Sequence, residues 1–256
     1  VGGGPGGLVA ALTAAERGMQ VDLWEKTNQL GGLLLAAGGP IFKKDVKDYV
    51  DYLVGKIYRS NINVSLMKEA TPDNVLSGNY DKVIVATGAD PVMPNIEGID
   101  KDFVVGANDL LTNKESYGKN VVVIGGGLVG CETACHVAEK AENVTIIEML
   151  PEILMTVNHS RNNDQALRAL MEECEIKAIT NAKVVAFKDN EVVYEINGEQ
   201  KSIQADTVAI AAGYRSRTSL YDQIIDKVDC QIVGDAERPD NILTAVHHGF
   251  NSVRCI

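Results

Sequence analysis

Two glycine-rich segments hold the residues whose types and spacing could do chemistry. Gly2-Gly3-Gly4-Pro5-Gly6-Gly7 and Gly125-Gly126-Gly127-Leu128-Val129-Gly130 both fit G-x-G-x-x-G. Each is followed, 23 residues after its first glycine, by an acid: Glu25 in one case and Glu148 in the other. The pattern has a physical use. The first glycine permits a tight turn, the second lets a pyrophosphate reach the backbone, and the third lets helix and strand pack closely. The pyrophosphate then rests on free N–H groups at the positive end of a helix dipole. The acid closing the next strand is placed to accept a hydrogen bond from a ribose hydroxyl. One such loop is equally a plain strand–helix turn, and a single glutamate at a strand end is ordinarily a solvated acid. Two complete copies favour two dinucleotide sites. Glu148 is followed by Met149 and Leu150 rather than by a cation. A 2′-phosphate there would face an uncompensated carboxylate, so NADH is expected over NADPH.

Other reactive side chains form no constellation. The cysteines, Cys131, Cys135, Cys174, Cys230 and Cys255, include no C-x-x-C pair. Neither a redox dithiol nor a metal or cluster site follows from their scatter. Cys131 and Cys135, one helical turn apart, are expected to pack as small residues. An odd count without a disulfide framework fits a reducing, cytoplasmic setting. No catalytic acid, base or nucleophile and no metal ligand is assigned.

The elements that must position the loops repeat as well. Val1–Lys26 aligns with Ile124–Met149 without a gap, and Tyr80–Gly88 parallels Ala205–Gly213. Leu8–Arg17 and Val129–Lys140 carry small apolar residues at helical spacing, and Val121–Ile124 and Val144–Ile147 read as buried parallel strands. Asp45–Tyr58 and Asp164–Glu173 read as helices and Ile62–Met67 as a strand. Val184–Phe187, Glu191–Ile196 and Lys201–Ile203 suggest a β-meander turning at Asn197-Gly198. Pro91–Ile99 is irregular and connects the two units. The sequence enters its first loop directly from Val1, which suggests a piece cut at its N-terminal edge with its first strand truncated.

Composition narrows the partners. Apolar residues make up 45% of the 256, enough for a real core. The net charge of -11 repels phosphate backbones and anionic lipid surfaces, so neither nucleic acid nor membrane is expected as a partner.

The chain resembles the flavoproteins with two dinucleotide domains typified by glutathione and thioredoxin reductases. The resemblance rests on the first loop with Glu25, Ala86-Thr87-Gly88, the second loop with Glu148, and Val233-Gly234-Asp235. Within that group it is similar to the C-terminal half of NADH:flavin oxidoreductases of the old yellow enzyme type, such as 2,4-dienoyl-CoA reductase, 2-enoate reductase and trimethylamine dehydrogenase. The carriers are Leu30–Leu34, Pro40–Asp45, Ala86–Ala89 with Pro91 and Pro94, Gly125–Ala134, Glu148–Glu152 and Ala245–Phe250. One departure is Leu33, where the family often has Gln.

The resemblance implies an α/β fold with two Rossmann-like domains, the second inserted in the first. The flavin domain is expected over 1–111 plus 214–256 and the nicotinamide domain over 112–213. Implied FAD-site residues are Gly2, Gly4, Pro5, Gly6, Gly7, Glu25, Lys26, Gly32, Thr87, Gly88, Gly234 and Asp235, with Asp235 at the ribityl and pyrophosphate region. Implied NADH-site residues are Gly125, Gly127, Leu128, Gly130, Glu132, Glu148 and Gly213. His247 reads as structural or flavin-adjacent. The implied activity is electron entry, passing hydride from NADH to FAD and on to an N-terminal barrel domain of the same parent chain. That domain would hold FMN and a 4Fe–4S cluster, reduce an unsaturated acid or thioester, and could form a homo-oligomer. A structural module binding only ADP and a free-standing NADH oxidase are the competing expectations.

Overall fold

A computed structural model of the chain describes residues 1–155 and 161–254. The first segment contains α1 (Pro5–Glu16), β1 (Asp22–Trp24), α2 (Leu34–Ala37), α3 (Lys44–Tyr58), β2 (Asn63–Ser65), α4 (Pro72–Ser77), β3 (Val83–Val85) and β4 (Ala89–Pro91). There follow β5 (Val104–Gly106), α5 (Ala107–Leu111), β6 (Asn120–Ile124), α6 (Leu128–Val137), β7 (Asn143–Ile147), α7 (Arg161–Glu173) and β8 (Lys177–Ile179). Next come β9 (Ala182–Lys188), β10 (Glu191–Ile196), β11 (Glu199–Gln204) and β12 (Thr207–Ile210). The chain closes with β13 (Tyr214–Ser216), α8 (Ser219–Ile224), β14 (Cys230–Ile232) and α9 (Ile242–Arg254).

These elements form two compact units. Unit 1 takes Val1–Gly38, Lys44–Asp90 and the segment from Tyr214 onward, and unit 2 takes Gly39–Lys43 and Pro91–Gly213. Within the expected 1–111, Gly39–Lys43 therefore belongs to unit 2, and unit 1 gives way to unit 2 at Asp90 rather than at 111. The reason is β5, which pairs in parallel with β12 and so carries residues 91–111 into the second unit's sheet. Only two apolar residues, Val104 and Val105, mark that strand in the sequence, too few to read as a strand beforehand.

In unit 2 the sheet order is β5-β12-β6-β7-β8, parallel throughout. Val121, Val122 and Val123 are almost wholly buried, as the continuous apolar run requires. One face packs Val121, Val123 and Ile146 against Cys131, Ala134 and Cys135 of α6 and Leu167 and Met171 of α7. The other packs Val122, Ile124 and Val208 against Phe187, Val192 and Tyr194 of the antiparallel meander β11-β10-β9. Its turn is at Asn197-Gly198, both with positive φ, the conformation this dipeptide tolerates. Burying each of these valines fully contributes roughly 1.5–3 kcal/mol.

Unit 1 is built from shorter pieces. β1 pairs with β2 and β3 with β14, all in parallel. Val1 and Gly2 run between the two pairs, with the Gly2 N–H donating to Trp24 O (2.8 Å) and Ala86 N–H to Val1 O (2.7 Å). Leu8 and Leu12 of α1 pack with Leu23, and with Leu53 and Ile57 of α3. On its other side α1 crosses α9 so closely that a Cβ on Gly249 would collide with the Gly6 carbonyl oxygen.

Candidate functional site

Both loops leave the carboxyl end of a central strand position and enter a helix. In unit 2, β6 has β7 on one side and β12 on the other, so the chain turns opposite ways from it. Such a switch point is where open parallel sheets place their ligands, beyond the carboxyl ends of the strands. Gly125, with φ of 106°, begins the turn there; Gly213, with φ of 95°, lies at the end of β12.

The third glycines are fixed by sterics. A Cβ on Gly7 would overlap the Gly2 carbonyl oxygen, and one on Gly130 that of Gly125. The middle glycines differ in kind. Gly4 and Gly127 are the N-caps of α1 and α6, both extended and without a side-chain cap. A Cβ on Gly4 would have Gly32 Cα 4.0 Å away, and one on Gly127 would meet nothing within 4 Å among the described residues. Both therefore present open backbone, the cradle that an approaching pyrophosphate needs. Pro5 occupies the first helical position of α1, where its missing N–H costs nothing.

The acids clasp their own loops. Glu25 is buried, its Oε2 accepting from Gly3 N–H (2.8 Å) and its Oε1 from Thr27 N–H (2.8 Å). Glu148, also buried, accepts from Gly126 N–H (2.6 Å) at Oε2 and from Leu150 N–H (2.8 Å) at Oε1. Each oxygen keeps further acceptor capacity, so a ribose hydroxyl can be added. Lys26 is exposed, directly beyond the first acid.

The remaining residues assigned to the first site lie in unit 1 with the loop. A Cβ on Gly2 would strike the Ala86 carbonyl oxygen, which puts Ala86-Thr87-Gly88 directly beside the turn. Gly88 has φ of 72° and open space where a Cβ would stand. Gly32 crosses the loop, 2.8 Å separating its hypothetical Cβ from Gly4 Cα. Gly6 abuts Ala245 of α9, and the Val233 side chain is 3.6 Å from where its Cβ would be, which brings Gly234-Asp235 close. Burial raises the Asp235 carboxyl above its ordinary range, opposed by a hydrogen bond from Asp240 N–H (3.3 Å). His247 stands exposed on α9.

In unit 2, Leu128 opens α6 and Glu132 follows one turn later. Glu132 is buried, and the Lys43 ammonium donates to it at 2.6 Å. Burial raises the Glu132 carboxyl, and Lys43 opposes the shift. Nothing in the sequence announces this partner beyond the Pro40–Asp45 run. The cysteines are free where described: Cys131 and Cys135 are buried, and burial pushes both thiols up to about 12. Cys255 lies outside the described residues. Among the described residues no group of three or more His, Cys, Asp or Glu could hold a metal ion, and no helix is long and apolar enough to cross a membrane.

Comparison with known proteins identifies the family. A family profile described as pyridine nucleotide-disulphide oxidoreductase matches residues 1–238. A cinnamate reductase of Clostridium sporogenes is 35% identical over 260 residues, covering 100% of this chain and 38% of its own length. An NADH oxidase of Thermoanaerobacter brockii is 38% identical over 257 residues, covering 98% of this chain and 39% of its own. Among solved structures, a 2-naphthoyl-CoA reductase in complex with 2-naphthoyl-CoA superposes with a TM-score of 0.91 at 31% identity. It covers 100% of this chain, which spans 39% of that one. The chain thus spans about two-fifths of the length of these relatives.

Proposed function

Since the chain belongs to the pyridine nucleotide-disulphide oxidoreductase family, we propose that it is the electron-entry module of a flavin oxidoreductase. In this reading unit 1 holds FAD and unit 2 holds NADH. When bound, the cofactors supply the redox chemistry, hydride passing from nicotinamide to flavin. Electrons then leave for a domain outside this chain that carries FMN and a 4Fe–4S cluster and reduces an unsaturated acid or thioester. The relatives named as reductases, for which this chain matches under half the length, support that division of labour.

The observation that carries the reading is the clasp built twice. Each unit offers an open-backbone N-cap glycine, uncapped helix N–H groups and a buried acid whose oxygens retain acceptor capacity. The residues' task is binding and orientation. Gly4 and Gly127 admit the pyrophosphates, Glu25 and Glu148 take ribose hydroxyls, and Asp235 faces the ribityl and pyrophosphate region.

The test is a visible spectrum of the purified chain, identification of the released nucleotide, and a paired NADH assay. A flavin spectrum, released FAD and reduction of a soluble dye without turnover of an unsaturated acid or thioester are expected. Release of ADP alone would establish a structural module. Turnover of the unsaturated substrate by this chain by itself would overturn the electron-entry reading.

A further inference from the structure

Three parts of the expected flavin site are far apart in sequence: Glu25-Lys26, Thr87-Gly88 and Gly234-Asp235. One dipeptide, Ser216-Arg217 at the end of β13, hydrogen-bonds to the second and the third. The Arg217 N–H donates to Gly88 O (3.0 Å), and the Thr87 hydroxyl donates back to Arg217 O (2.8 Å). The guanidinium then closes around the same loop. Its Nη1 donates to Thr87 O (3.0 Å), and its Nε (2.8 Å) and Nη2 both donate to Asp90 Oδ1. Asp90 is held below the usual carboxylate range by Arg217 first, after which Lys26 also contributes. On the other side, the Ser216 hydroxyl donates to Asp235 O (2.8 Å).

We propose that Arg217 is a positioning residue for the flavin nucleotide, holding Thr87-Gly88 at the height of the first glycine loop, with Ser216 setting Asp235 from the same strand end. Gly88 needs such support. Its φ of 72° and the open space over its α-carbon leave Gly88 itself without side-chain packing between the buried Ala86 and Ala89. A rigid fork with several donors can grip two acceptors at once, which a lysine's single ammonium cannot do with the same geometry. The inference rests on the reading that unit 1 binds FAD.

The experiment is FAD titration of the apo-protein by fluorescence, for the unaltered chain, Arg217→Ala, Arg217→Lys and Ser216→Ala. NADH affinity and the thermal midpoint of each apo-protein are measured alongside. Uptake of FAD by the unaltered chain comes first; no uptake would overturn the flavin reading itself and this inference with it. Given uptake, Arg217→Ala is expected to raise the Kd for FAD at least tenfold while NADH affinity in unit 2 stays within twofold. Arg217→Lys, which keeps a cation beside Asp90, is expected to recover the apo thermal midpoint but not the FAD affinity. Ser216→Ala, a milder change should Arg217→Ala fail to fold, is expected to raise the Kd several-fold. An unchanged FAD Kd in Arg217→Lys and Ser216→Ala, or equal losses of FAD and NADH affinity, would overturn the proposal.

Discussion

The two glycine-loop units make the same hydrogen bonds with different residues. Gly2 N–H donates to Trp24 O at the end of β1, and Gly125 N–H to Ile147 O at the end of β7. Ala86 N–H reaches Val1 O as Ala211 N–H reaches Ile124 O, and Glu25 N–H meets Ser65 O as Glu148 N–H meets Ile179 O. Even the acid's two backbone donors recur. The frame is therefore fixed by backbone geometry, and the differences lie in what covers it. A strap crosses each loop, Gly31 N–H donating to Gly3 O (2.8 Å) as Leu154 N–H donates to Gly126 O (2.7 Å), but the first strap is built of glycines, Gly32 approaching Gly4, where the second carries Leu154 and Met155.

The sharpest way to break this equivalence is at the third glycine. Gly7→Ala places a carbon on the Gly2 carbonyl oxygen and 3.2 Å from the Ala86 Cβ, and Gly130→Ala meets Gly125 and Ala211 in the same way. Backbone must move in both cases, so each should lose roughly 1–3 kcal/mol of stability, at the upper end of overpacking costs. Chemical denaturation of both variants measures this. A tolerant position in one unit only would show that the loops are not equivalent.

Substitution at the middle glycine separates the ligands instead. Gly4 and Gly127 are extended, with φ of -78° and -73°, so valine fits their backbone without strain. Stability should change by about 1 kcal/mol or less, the ordinary scale of an N-cap change. Gly4→Val should lose stoichiometric FAD yet still bind NADH, and Gly127→Val should do the reverse. Cofactor content by absorbance and NADH titration would reveal any crossover, and retained FAD in Gly4→Val would remove FAD from the first loop.

A smaller effect is expected at the second acid. Glu148→Gln keeps an oxygen for one backbone donor but removes the charge that a 2′-phosphate would face. NADH affinity should fall by roughly 0.5–1.5 kcal/mol, the worth of one hydrogen bond, while NADPH affinity should hold or rise. Titration of both cofactors decides it, and equal losses for the two would detach Glu148 from the choice between them.

The repeat was legible because glycine sterics and buried valine runs act locally. The loops, the acids, β6, β7 and the meander all follow from residues within about 30 positions of each other. What escaped the sequence acts across distance. Arg217 grips Asp90 across 127 positions, and Lys43 reaches Glu132 across 89, with no periodicity to announce either pair. The expected boundary at 111 missed because β5 is short and gains its identity only by pairing with β12. The helix expected to run to Lys140 ends at Val137, where Ala138 caps α6 and the chain turns toward β7. Leu33, the departure from the family pattern, caps the short α2 with its backbone only.

The least expected difference lies at the edge of β1. Asp22 and Tyr80 form an exposed polar latch where their repeat counterparts, Thr145 and Ala205, are buried. The Tyr80 hydroxyl donates to Asp22 at 2.6 Å, and the ring meets Trp24 edge-on at 5.9 Å between centroids. Burial and then Asp22 raise the phenol to about 12, while the hydrogen bonds from Tyr80 and Asn63 lower the Asp22 carboxyl. The signs give opposite limits. The raised phenol contributes fully below pH 10 and loses its contribution as pH climbs through about 12. The depressed carboxyl contributes fully above its ordinary value of 3.8 and loses its contribution as pH falls through its lower folded value. Tyr80→Phe should therefore cost a constant amount across the neutral range, with the gap from the unaltered chain closing at both extremes. Because Asp22 is solvent-exposed and screened, that amount should be about 0.5 kcal/mol, near the low end for a hydrogen bond. Denaturation midpoints of the two proteins from acid to alkaline pH measure it. A gap that widens above pH 10 would show that the latch does not hold unit 1 through this hydroxyl.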